Sequence, residues 1–252
     1  MRAIEPLASA RPRLAEISLG VVCPMANEES SAEKLVGEVL AAARGFAAVR
    51  FYAVLDRISR DRTRPLLDRM AASEARLEVV WAPENRSVVD AYLRGYRAAL
   101  AAGHDYILEM DAGFSHQPSE LPAFFDAIEQ GYDCIFGSRF MPGGGIVDSP
   151  WHRRFVSRGG TIAANLLLGT RLHDMTSGFE AFSRDALAQI LDRGIHSRAH
   201  FFQTEIKYHA RHMRVVEVPI HYSAASPSVG AASLTDAFLN LFRLVRLRWK
   251  RP

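Results

Sequence analysis

The stretch YILEMD, residues 106–111, is a short and mostly apolar run that leads directly into an aspartate. Its length and composition predict a buried β-strand that ends at Asp111. Residues 88–101, just before it, carry apolar side chains at helical spacing, and residues 77–81 predict an earlier strand. Strand, helix and strand in close succession are typical of parallel βαβ units.

The same alternation extends in both directions from this stretch. The runs ISLGVVCP and FYAVL predict two earlier strands at residues 17–24 and 51–55, and a helical pattern between them is carried by Leu35, Val36, Val39 and Leu40. Further strands are predicted at residues 134–137 and 215–220, with a helix at residues 155–168. We therefore expect an α/β fold with a mainly parallel central sheet that helices cover on both faces.

Polar side chains follow the ends of three predicted strands. Asn27 and Glu28 follow the first strand, Asp56 the second and Asp111 the fourth. In open parallel sheets, ligands bind beyond the carboxyl ends of the strands. The sequence therefore predicts a polar binding site along that edge.

Bulk composition narrows the class of protein. The chain has 252 residues, 48% of them hydrophobic, and a net charge of +3, so one globular domain is expected. The basic residues are too scattered for a nucleic-acid surface. No signal peptide or spanning helix is predicted. Cys23 and Cys134 lie in apolar runs, which favours small core side chains over a disulfide or a metal site and fits a cytoplasmic setting.

Several ordered blocks resemble family 2 glycosyltransferases, particularly the dolichol-phosphate or polyprenyl-phosphate mannosyltransferase branch. The resemblance implies a GT-A type, Rossmann-like fold that binds a nucleotide sugar. The blocks cover most of the chain in the expected order: PMANEE (residues 24–29), EMDAGFSHQP (109–118), FGSRF (136–140), SRG (157–159), DMTSGFEAF (174–182), FFQTE (201–205) and VEVPIHY (216–222).

On the donor side, the resemblance implies that Pro24, Asn27, Glu28 and Asp56 contact the nucleotide. Asp111 matches the first acid of the Asp-x-Asp motif, which holds Mg²⁺ or Mn²⁺ against the diphosphate of the sugar donor. Such a cation neutralises the charge that develops on a diphosphate leaving group. A lone aspartate after a strand would otherwise be taken as a helix N-cap.

On the acceptor side, the resemblance implies that Arg139, Arg153 and Ser157 bind a lipid phosphate. Guanidinium groups and a hydroxyl suit a phosphate that must be held as the nucleophile. Gln203 and Glu205 match a block near the sugar and acceptor. The predicted catalytic residues are accordingly Asp111, Arg139, Gln203 and Glu205. As alternatives, Arg153 belongs to a solvated helix face, and Gln203 or Glu205 braces a helix.

Several positions depart from the family pattern, most of them on the donor side. Gly113 replaces the second acid of the Asp-x-Asp motif, and Glu180 replaces the usual arginine after TSGF. One explanation is that the enzyme uses an altered donor or binds its metal with fewer protein ligands, with Ser115 or water filling in. The other is that donor binding is lost. The blocks at residues 56–59 and 85–90 are also altered, and the loop at residues 226–233 lacks the family's basic residues.

The predicted organisation is an N-terminal extension (1–16), a catalytic domain (17–233) and a basic amphipathic C-terminal helix (234–252). That helix either lies on an anionic membrane surface or packs on the domain with its basic end favoured by the helix dipole.

The expected partners are a GDP- or UDP-linked sugar, a polyprenyl phosphate and a membrane surface, but no nucleic acid. The expected function is inverting transfer of a hexose, mannose by analogy, to polyprenyl phosphate. A soluble acceptor and a non-catalytic relative remain as alternatives.

Overall fold

The computed structural model describes residues 12–147, 151–223 and 231–250. Nine strands and eight α-helices lie within these ranges. The strands are β1 (Ser18–Pro24), β2 (Ala48–Leu55), β3 (Leu77–Trp81), β4 (Tyr106–Glu109), β5 (Cys134–Ser138), β6 (Gly145–Val147), β7 (Glu180–Ser183), β8 (Val215–Pro219) and β9 (His221–Ser223). The helices are α1 (Ala32–Ala42), α2 (Thr63–Ala71), α3 (Val88–Ala101), α4 (Leu121–Glu129), α5 (Trp151–Leu168), α6 (Arg184–Asp192), α7 (Phe202–Ala210) and α8 (Ala231–Lys250).

Seven strands form the central sheet in the order β3-β2-β1-β4-β7-β5-β8, and β6 pairs with β9 in a separate ribbon. All neighbours in the large sheet are parallel except β7, which runs antiparallel to both β4 and β5. The mainly parallel sheet predicted from the sequence is therefore confirmed. The antiparallel β7 was not predicted, because its four residues are too short to show a strand pattern.

Helices cover the sheet on both faces because successive strand residues point to opposite sides. Val21 of β1 packs into one core, with apolar residues of α1, α2 and α4, while Val22 packs into the other, with α3, α6 and α7. Gly95 of α3 allows that helix to approach closely, since a Cβ there would lie 2.2 Å from Cγ1 of Val22. Both cysteines are buried and free, as expected.

The pair α5 and α8 packs together around Ala164, Leu168 and Leu244. The C-terminal helix begins at Ala231, three residues before its predicted start, and most of the loop predicted over residues 223–233 lies outside the described ranges. Within those ranges, every helix is too short or too polar to cross a bilayer.

Candidate functional site

The loop after β1 is hydrogen-bonded to the segment that follows β2. Asn27 adopts a left-handed backbone with φ of 61°, a conformation that asparagine tolerates better than most residues. Its Oδ1 accepts a hydrogen bond from the backbone N–H of Arg60 at 2.9 Å. The N–H of Glu28 donates to Oγ1 of Thr63 at 2.7 Å. Asn27 and Glu28, which follow Pro24, are thus held beside the end of β2.

Asp56 shapes the second of these loops. Its Oδ1 accepts from the backbone N–H of Ile58 at 2.8 Å, which closes the turn after β2. Its Oδ2 has no hydrogen-bond partner in the part of the chain that the structure describes. The structure therefore places the predicted donor-contacting residues of β1 and β2 on adjoining loops, with one carboxyl oxygen of Asp56 still able to accept a ligand hydrogen bond.

Asp111, directly after β4 and Met110, is oriented by a tyrosine and a histidine. Its Oδ1 accepts from the hydroxyl of Tyr92 on α3 at 2.6 Å. Its backbone N–H donates to Nδ1 of His116 at 2.9 Å, and Nε2 of His116 lies 3.8 Å from its Oδ2. The Asp111 side chain remains 39% exposed. The carboxylate is therefore held in one direction and is still open to solvent.

His116 is neutral in this arrangement. It is buried and stacks on Phe179, with ring centroids 4.7 Å apart. Burial lowers the pKa of His116 from 6.5 to about 4, although the charge of Asp111 acts in the opposite direction. Because Nδ1 accepts a hydrogen bond, the proton of the neutral ring is on Nε2, which faces Asp111.

Gly113 lies against the carboxylate of Glu28. A Cβ at residue 113 would be 3.1 Å and 3.3 Å from the two carboxyl oxygens of Glu28. Gly113 also has φ of 66°, a backbone that most other residues adopt only with strain. The space beside residue 113 is thus occupied by an acid from another loop. Glu28 and Asp111 are also close enough to Cys23 that both charges raise the pKa of its buried thiol, after the larger effect of burial.

This arrangement fits a cation that a substrate helps to bind. Across the described ranges, no three or more His, Cys, Asp or Glu side chains are grouped to form a metal cage from protein ligands alone. Mg²⁺ is commonly bound by one or two carboxylates, with phosphate oxygens and water completing the shell. Asp111 and Glu28 are two carboxylates that would be available for such a cation. The predicted ligand Ser115 follows in the same loop, where its backbone N–H donates to the carbonyl of Ala112 at 3.3 Å.

A second polar cluster lies at the end of β5. The guanidinium of Arg139 binds both carboxyl oxygens of Asp174, from Nε at 2.7 Å and from Nη2 at 2.9 Å. The same Nη2 donates to Oγ1 of Thr176 at 2.6 Å and to Oγ of Ser157 at 3.2 Å. The two hydroxyls are 2.7 Å apart. We call Arg139, Ser157, Asp174 and Thr176 the acceptor cluster.

The ion pair fixes the direction of the arginine. Burial alone would raise the pKa of Asp174, but the Arg139 guanidinium, with smaller contributions from Lys207 and the backbone N–H of Thr176, holds the pKa below its usual value. The Nη1 of Arg139 has no partner among the described residues, so one edge of the guanidinium can donate to a ligand. Arg139 and Ser157 are therefore brought together as predicted. Arg153 lies in the first turn of α5, and its side chain is outside the described part.

Gln203 is buried and contacts Glu109, two residues before Asp111. Its Nε2 donates to Oε1 of Glu109 at 2.7 Å, and both side chains are buried. Glu109 on β4 faces Glu180 on β7 in the strand register, and Glu180 forms a buried ion pair with Lys207 of α7. These four residues are the buried polar cluster. It ties α7 to the strand that leads into Asp111.

The two glutamates of this cluster carry raised pKa values. Burial raises the pKa of Glu180 to about 7, against the opposing charge of Lys207. Burial raises the pKa of Glu109 well above its ordinary value, and the charge of Glu180 raises it further. Because the one lysine is bound to Glu180, Glu109 is the carboxyl of the two that burial favours more strongly in its protonated form.

Glu205 faces a different part of the molecule. Two positions along α7 from Gln203, it lies on the opposite side of the helix. Its carboxylate accepts from the backbone N–H of Ser197 at 2.9 Å and of His196, and it binds Arg243 of α8. These partners hold a loop and the C-terminal helix, which corresponds to the bracing role considered for Glu205.

Sequence reasoning missed four residues that orient the site. His116, Asp174 and Thr176 lie inside blocks that the resemblance had marked, so their positions were available but their contacts were not. Tyr92 is at a helical core position, where an aromatic residue predicts packing alone. Its hydroxyl reaches Asp111 only because α3 crosses next to β4.

Comparison with known proteins identifies a family and a set of relatives. The profile of Glycosyl transferase family 2 matches residues 20–191. Polyprenol monophosphomannose synthase from Mycolicibacterium smegmatis is 32% identical over 227 residues, covering 89% of this chain and 84% of that protein. Undecaprenyl-phosphate mannosyltransferase from Micrococcus luteus is 34% identical over 203 residues, covering 78% of this chain and 83% of that protein.

Solved structures share the fold at lower sequence identity. Glucosyl-3-phosphoglycerate synthase from Mycobacterium tuberculosis, in complex with Mn²⁺, UDP and glucosyl-3-phosphoglycerate, superposes with a TM-score of 0.63 at 16% identity. The match covers 94% of this chain and 82% of that one. A complex of the same enzyme with Mg²⁺ and UDP gives a TM-score of 0.62 at 17% identity. The likeness confirms the GT-A fold.

Proposed function

The chain belongs to glycosyl transferase family 2, and from that premise we propose that it transfers a hexose from a nucleoside diphosphate sugar to a polyprenyl phosphate. Mannose is the proposed sugar, because the relatives from M. smegmatis and M. luteus are a monophosphomannose synthase and a mannosyltransferase. The observation that carries the acceptor assignment is the contact between Arg139 and Ser157. These residues are 18 positions apart in the chain, yet their side chains meet at 3.2 Å.

The acceptor cluster suits a phosphate as nucleophile. Arg139 is fixed by Asp174, its Nη1 edge has no partner among the described residues, and Ser157 adds a hydroxyl, so a phosphate would be held by directed hydrogen bonds. A phosphate monoester is already ionised at neutral pH, and no strong general base is needed. In the proposed inverting reaction, a phosphate oxygen bonds to C1 of the sugar from the face opposite the diphosphate. The bond from C1 to the diphosphate breaks, and the nucleoside diphosphate leaves with that electron pair.

The donor is proposed to lie at the carboxyl edge of β1, β2 and β4. Asp56 and the loop carrying Asn27 would contact the nucleoside, and Asp111 and Glu28 would hold Mg²⁺ or Mn²⁺ against the diphosphate. When bound, the cation neutralises charge on the leaving group. Tyr92 and neutral His116 keep Asp111 directed toward that position. The role of Ser115 as a further ligand stays a prediction.

Kinetics with a short-chain, water-soluble prenyl phosphate test this assignment. With GDP-mannose and Mn²⁺, Ser157→Ala should raise the KM for the prenyl phosphate about tenfold, because a hydrogen bond to a charged group is lost. The KM for the donor should not change. Asp56→Asn is the matched donor-side variant, and it should raise the donor KM alone. A Ser157→Ala enzyme that loses donor affinity instead would refute the acceptor assignment, and turnover only with non-lipid alcohols would indicate a soluble acceptor.

A non-catalytic relative is the second candidate, and Gly113 is the observation that favours it. Calorimetric titration with GDP, UDP, GDP-mannose and UDP-glucose, with and without Mn²⁺, separates the two. Binding of one nucleotide sugar that strengthens with Mn²⁺ and is followed by transfer supports the enzyme. Absence of binding by a folded preparation would establish the non-catalytic alternative.

A lipid acceptor also requires the protein to reach a bilayer. Peripheral attachment to the cytoplasmic face of the membrane is therefore part of the proposal.

A further inference from the structure

Lys207 of α7 is a charged residue in the core of the protein. Its side chain is fully buried, and its ammonium lies 4.8 Å from the ring centroid of Phe136 on β5. Nζ donates to the carbonyl of Ser177 at 2.7 Å and forms an ion pair with Glu180 of β7. Lysine is almost never fully buried, because its charge loses hydration there. Packing alone therefore does not explain a lysine at this position.

Residue 180, the partner of this lysine, is also a position where the chain departs from its family. The usual arginine after TSGF is replaced by Glu180, which lies directly opposite Glu109 in the register of β4 and β7. Residues directly opposite each other in antiparallel strands project from the same face of the sheet. Two carboxyl side chains therefore meet where an arginine and a glutamate would balance each other, and Lys207 brings the compensating cation from α7.

The location of this cation on a helix has a structural consequence. Gln203 lies one turn before Lys207 on the same face of α7, and its Nε2 donates to Oε1 of Glu109 at 2.7 Å. Gln203 thereby holds β4, and Lys207 holds β7. An arginine at residue 180 would balance Glu109 from the neighbouring strand and would leave α7 without this ion pair. In this chain, the buried charge ties the helix to the sheet.

The same helix contacts residues 174–177, the segment that contributes two side chains to the acceptor cluster. Oγ1 of Thr204 donates to the carbonyl of Met175 at 2.9 Å, and Nζ of Lys207 binds a second carbonyl of this segment. The strand that Gln203 holds, β4, leads into Asp111. One helix is therefore in contact both with the segment behind the acceptor cluster and with the strand that ends at the proposed cation site.

Three buried acceptors of the buried polar cluster lack a donor within the described ranges. They are Oε2 of Glu109, Oε2 of Glu180 and Oε1 of Gln203. An unsatisfied buried acceptor lowers stability, and a well-packed apolar cluster of similar volume is often at least as stable as a buried ion pair. Stability alone therefore does not explain the cluster, and its contacts with both halves of the site indicate a role in the reaction.

We propose that Lys207 is a positioning residue for the transfer reaction. It supplies from α7 the buried positive charge that an arginine usually carries at residue 180, and it thereby fixes β4 and Asp111 relative to the acceptor cluster. The inference rests on the proposed function and adds to it a residue that touches neither substrate. A displacement of about 1 Å between reacting groups can slow a reaction about a hundredfold, so a helix that fixes both halves of the site affects turnover without binding a ligand.

A double-variant cycle tests the relocation of the charge. Lys207→Met leaves Glu109 and Glu180 without a cation, and Glu180→Arg puts a second cation beside Lys207. Each single substitution should lower the midpoint of urea denaturation by about 1 M or more, because each leaves buried charge unbalanced. Combined in one protein, the two should restore much of the loss, since the arginine then faces Glu109 from β7. Arg50→Met is the control, because it breaks an exposed ion pair between β2 and β3 and should shift the midpoint little.

Steady-state kinetics with GDP-mannose, Mn²⁺ and the water-soluble prenyl phosphate test the positioning role. Lys207→Met should lower kcat about tenfold, because Asp111 and the acceptor cluster are no longer held in the geometry of the transition state. The KM values for both substrates should stay within about twofold of wild type, since Lys207 contacts neither of them. The combined variant Glu180→Arg/Lys207→Met should recover most of the lost kcat, and Arg50→Met should turn over like wild type.

Three results would overturn the proposal: additive losses of stability in the combined variant, wild-type kcat for Lys207→Met, or a loss of kcat that the second substitution does not restore. If Lys207→Met does not fold, the combined variant decides, since the proposal requires that it folds and transfers sugar. A wild-type protein that transfers no sugar to any acceptor would refute the proposed function and the positioning role with it. The urea midpoints would still decide whether Lys207 replaces the charge of an arginine at residue 180.

Discussion

The carboxyl edge of β1, β2 and β4, which we call the donor edge, differs from the acceptor cluster in how many of its polar groups already have hydrogen-bond partners within the protein. At the donor edge, Asp111 is 39% exposed, and Asp56 keeps an oxygen without a partner among the described residues. In the acceptor cluster, Asp174 is fully buried, and both its oxygens bind Arg139. The acceptor cluster is held by contacts within the protein, whereas the proposed donor site would be completed by its nucleotide and cation.

This difference explains where the chain departs from its family. In the proposed donor site a bound cation would balance the charges, so one ligand could be exchanged for another, as proposed for Gly113 and Glu28. A buried ion pair does not, because removing one partner leaves an uncompensated charge. Substitutions in the acceptor cluster should therefore affect stability first, and substitutions at the donor edge should affect activity first.

Asp174→Asn should have the largest effect. The substitution leaves the Arg139 guanidinium without its buried counter-charge and should lower the free energy of unfolding by about 3–5 kcal/mol. Urea denaturation measures the loss. Glu38→Gln is the control, because it breaks an exposed pair with Lys34 on α1 and should cost less than about 1 kcal/mol. Equal stability of the two variants would show that the ion pair between Asp174 and Arg139 does not stabilise the fold.

Asp111→Asn should act on turnover and leave stability nearly unchanged. Loss of the charge proposed to hold the cation against the diphosphate should lower kcat about 10²–10³-fold, the range found when one stabilising group is removed from a charged transition state. The free energy of unfolding should change by less than about 1 kcal/mol because the side chain is partly exposed. A variant that keeps full kcat would place the cation site away from Asp111.

Gly113→Asp tests whether Glu28 occupies the place of the missing acid. The left-handed backbone and the nearby carboxylate should together cost about 1–2 kcal/mol of unfolding free energy. Gly113→Asn is the matched variant, since it has a similar shape without the charge and tolerates left-handed backbone better. The two are compared by thermal denaturation. If both are equally stable, the Glu28 carboxylate does not repel residue 113.

Glu109→Gln should have the smallest effect at neutral pH, less than about 1 kcal/mol, because glutamine resembles the protonated glutamate. A carboxyl whose folded pKa is raised binds its proton more tightly in the folded state. Its contribution to stability is complete below the ordinary value of 4.5 and is lost as the pH rises toward the folded pKa.

The pH dependence of the free energy of unfolding tests whether the pKa of Glu109 is raised in the folded protein. Wild-type stability should include a decline from about pH 4.5 upward, to which Glu180, with a pKa of about 7, also contributes. Glu109→Gln should make that decline shallower, while Glu38→Gln should leave it unchanged. Identical slopes for wild type and Glu109→Gln would mean that Glu109 is ionised in the folded protein.

The local pattern of the sequence determined most of the secondary structure and one edge of the site. The bounds of α3 and β3 agree with the prediction because each forms from a continuous run with a clear period. Asn27, Asp56 and Asp111 follow parallel strands, whose carboxyl ends meet at one edge whatever else the chain does. The family blocks added Arg139 and Ser157, whose side chains meet in the structure.

Only the tertiary structure decided how these pieces act together. Insertion of β7 between β4 and β5 sets Glu109 opposite Glu180, and the resulting change in pKa depends on burial, which no local pattern contains. The contact of Tyr92 with Asp111, the ion pair of Arg139 with Asp174 and the joining of α5 to α8 all link segments far apart in the chain. Such contacts follow from how helices and strands pack in three dimensions. Many of the site residues could therefore be identified from the sequence, but their ionisation state, side-chain orientation and solvent exposure could not.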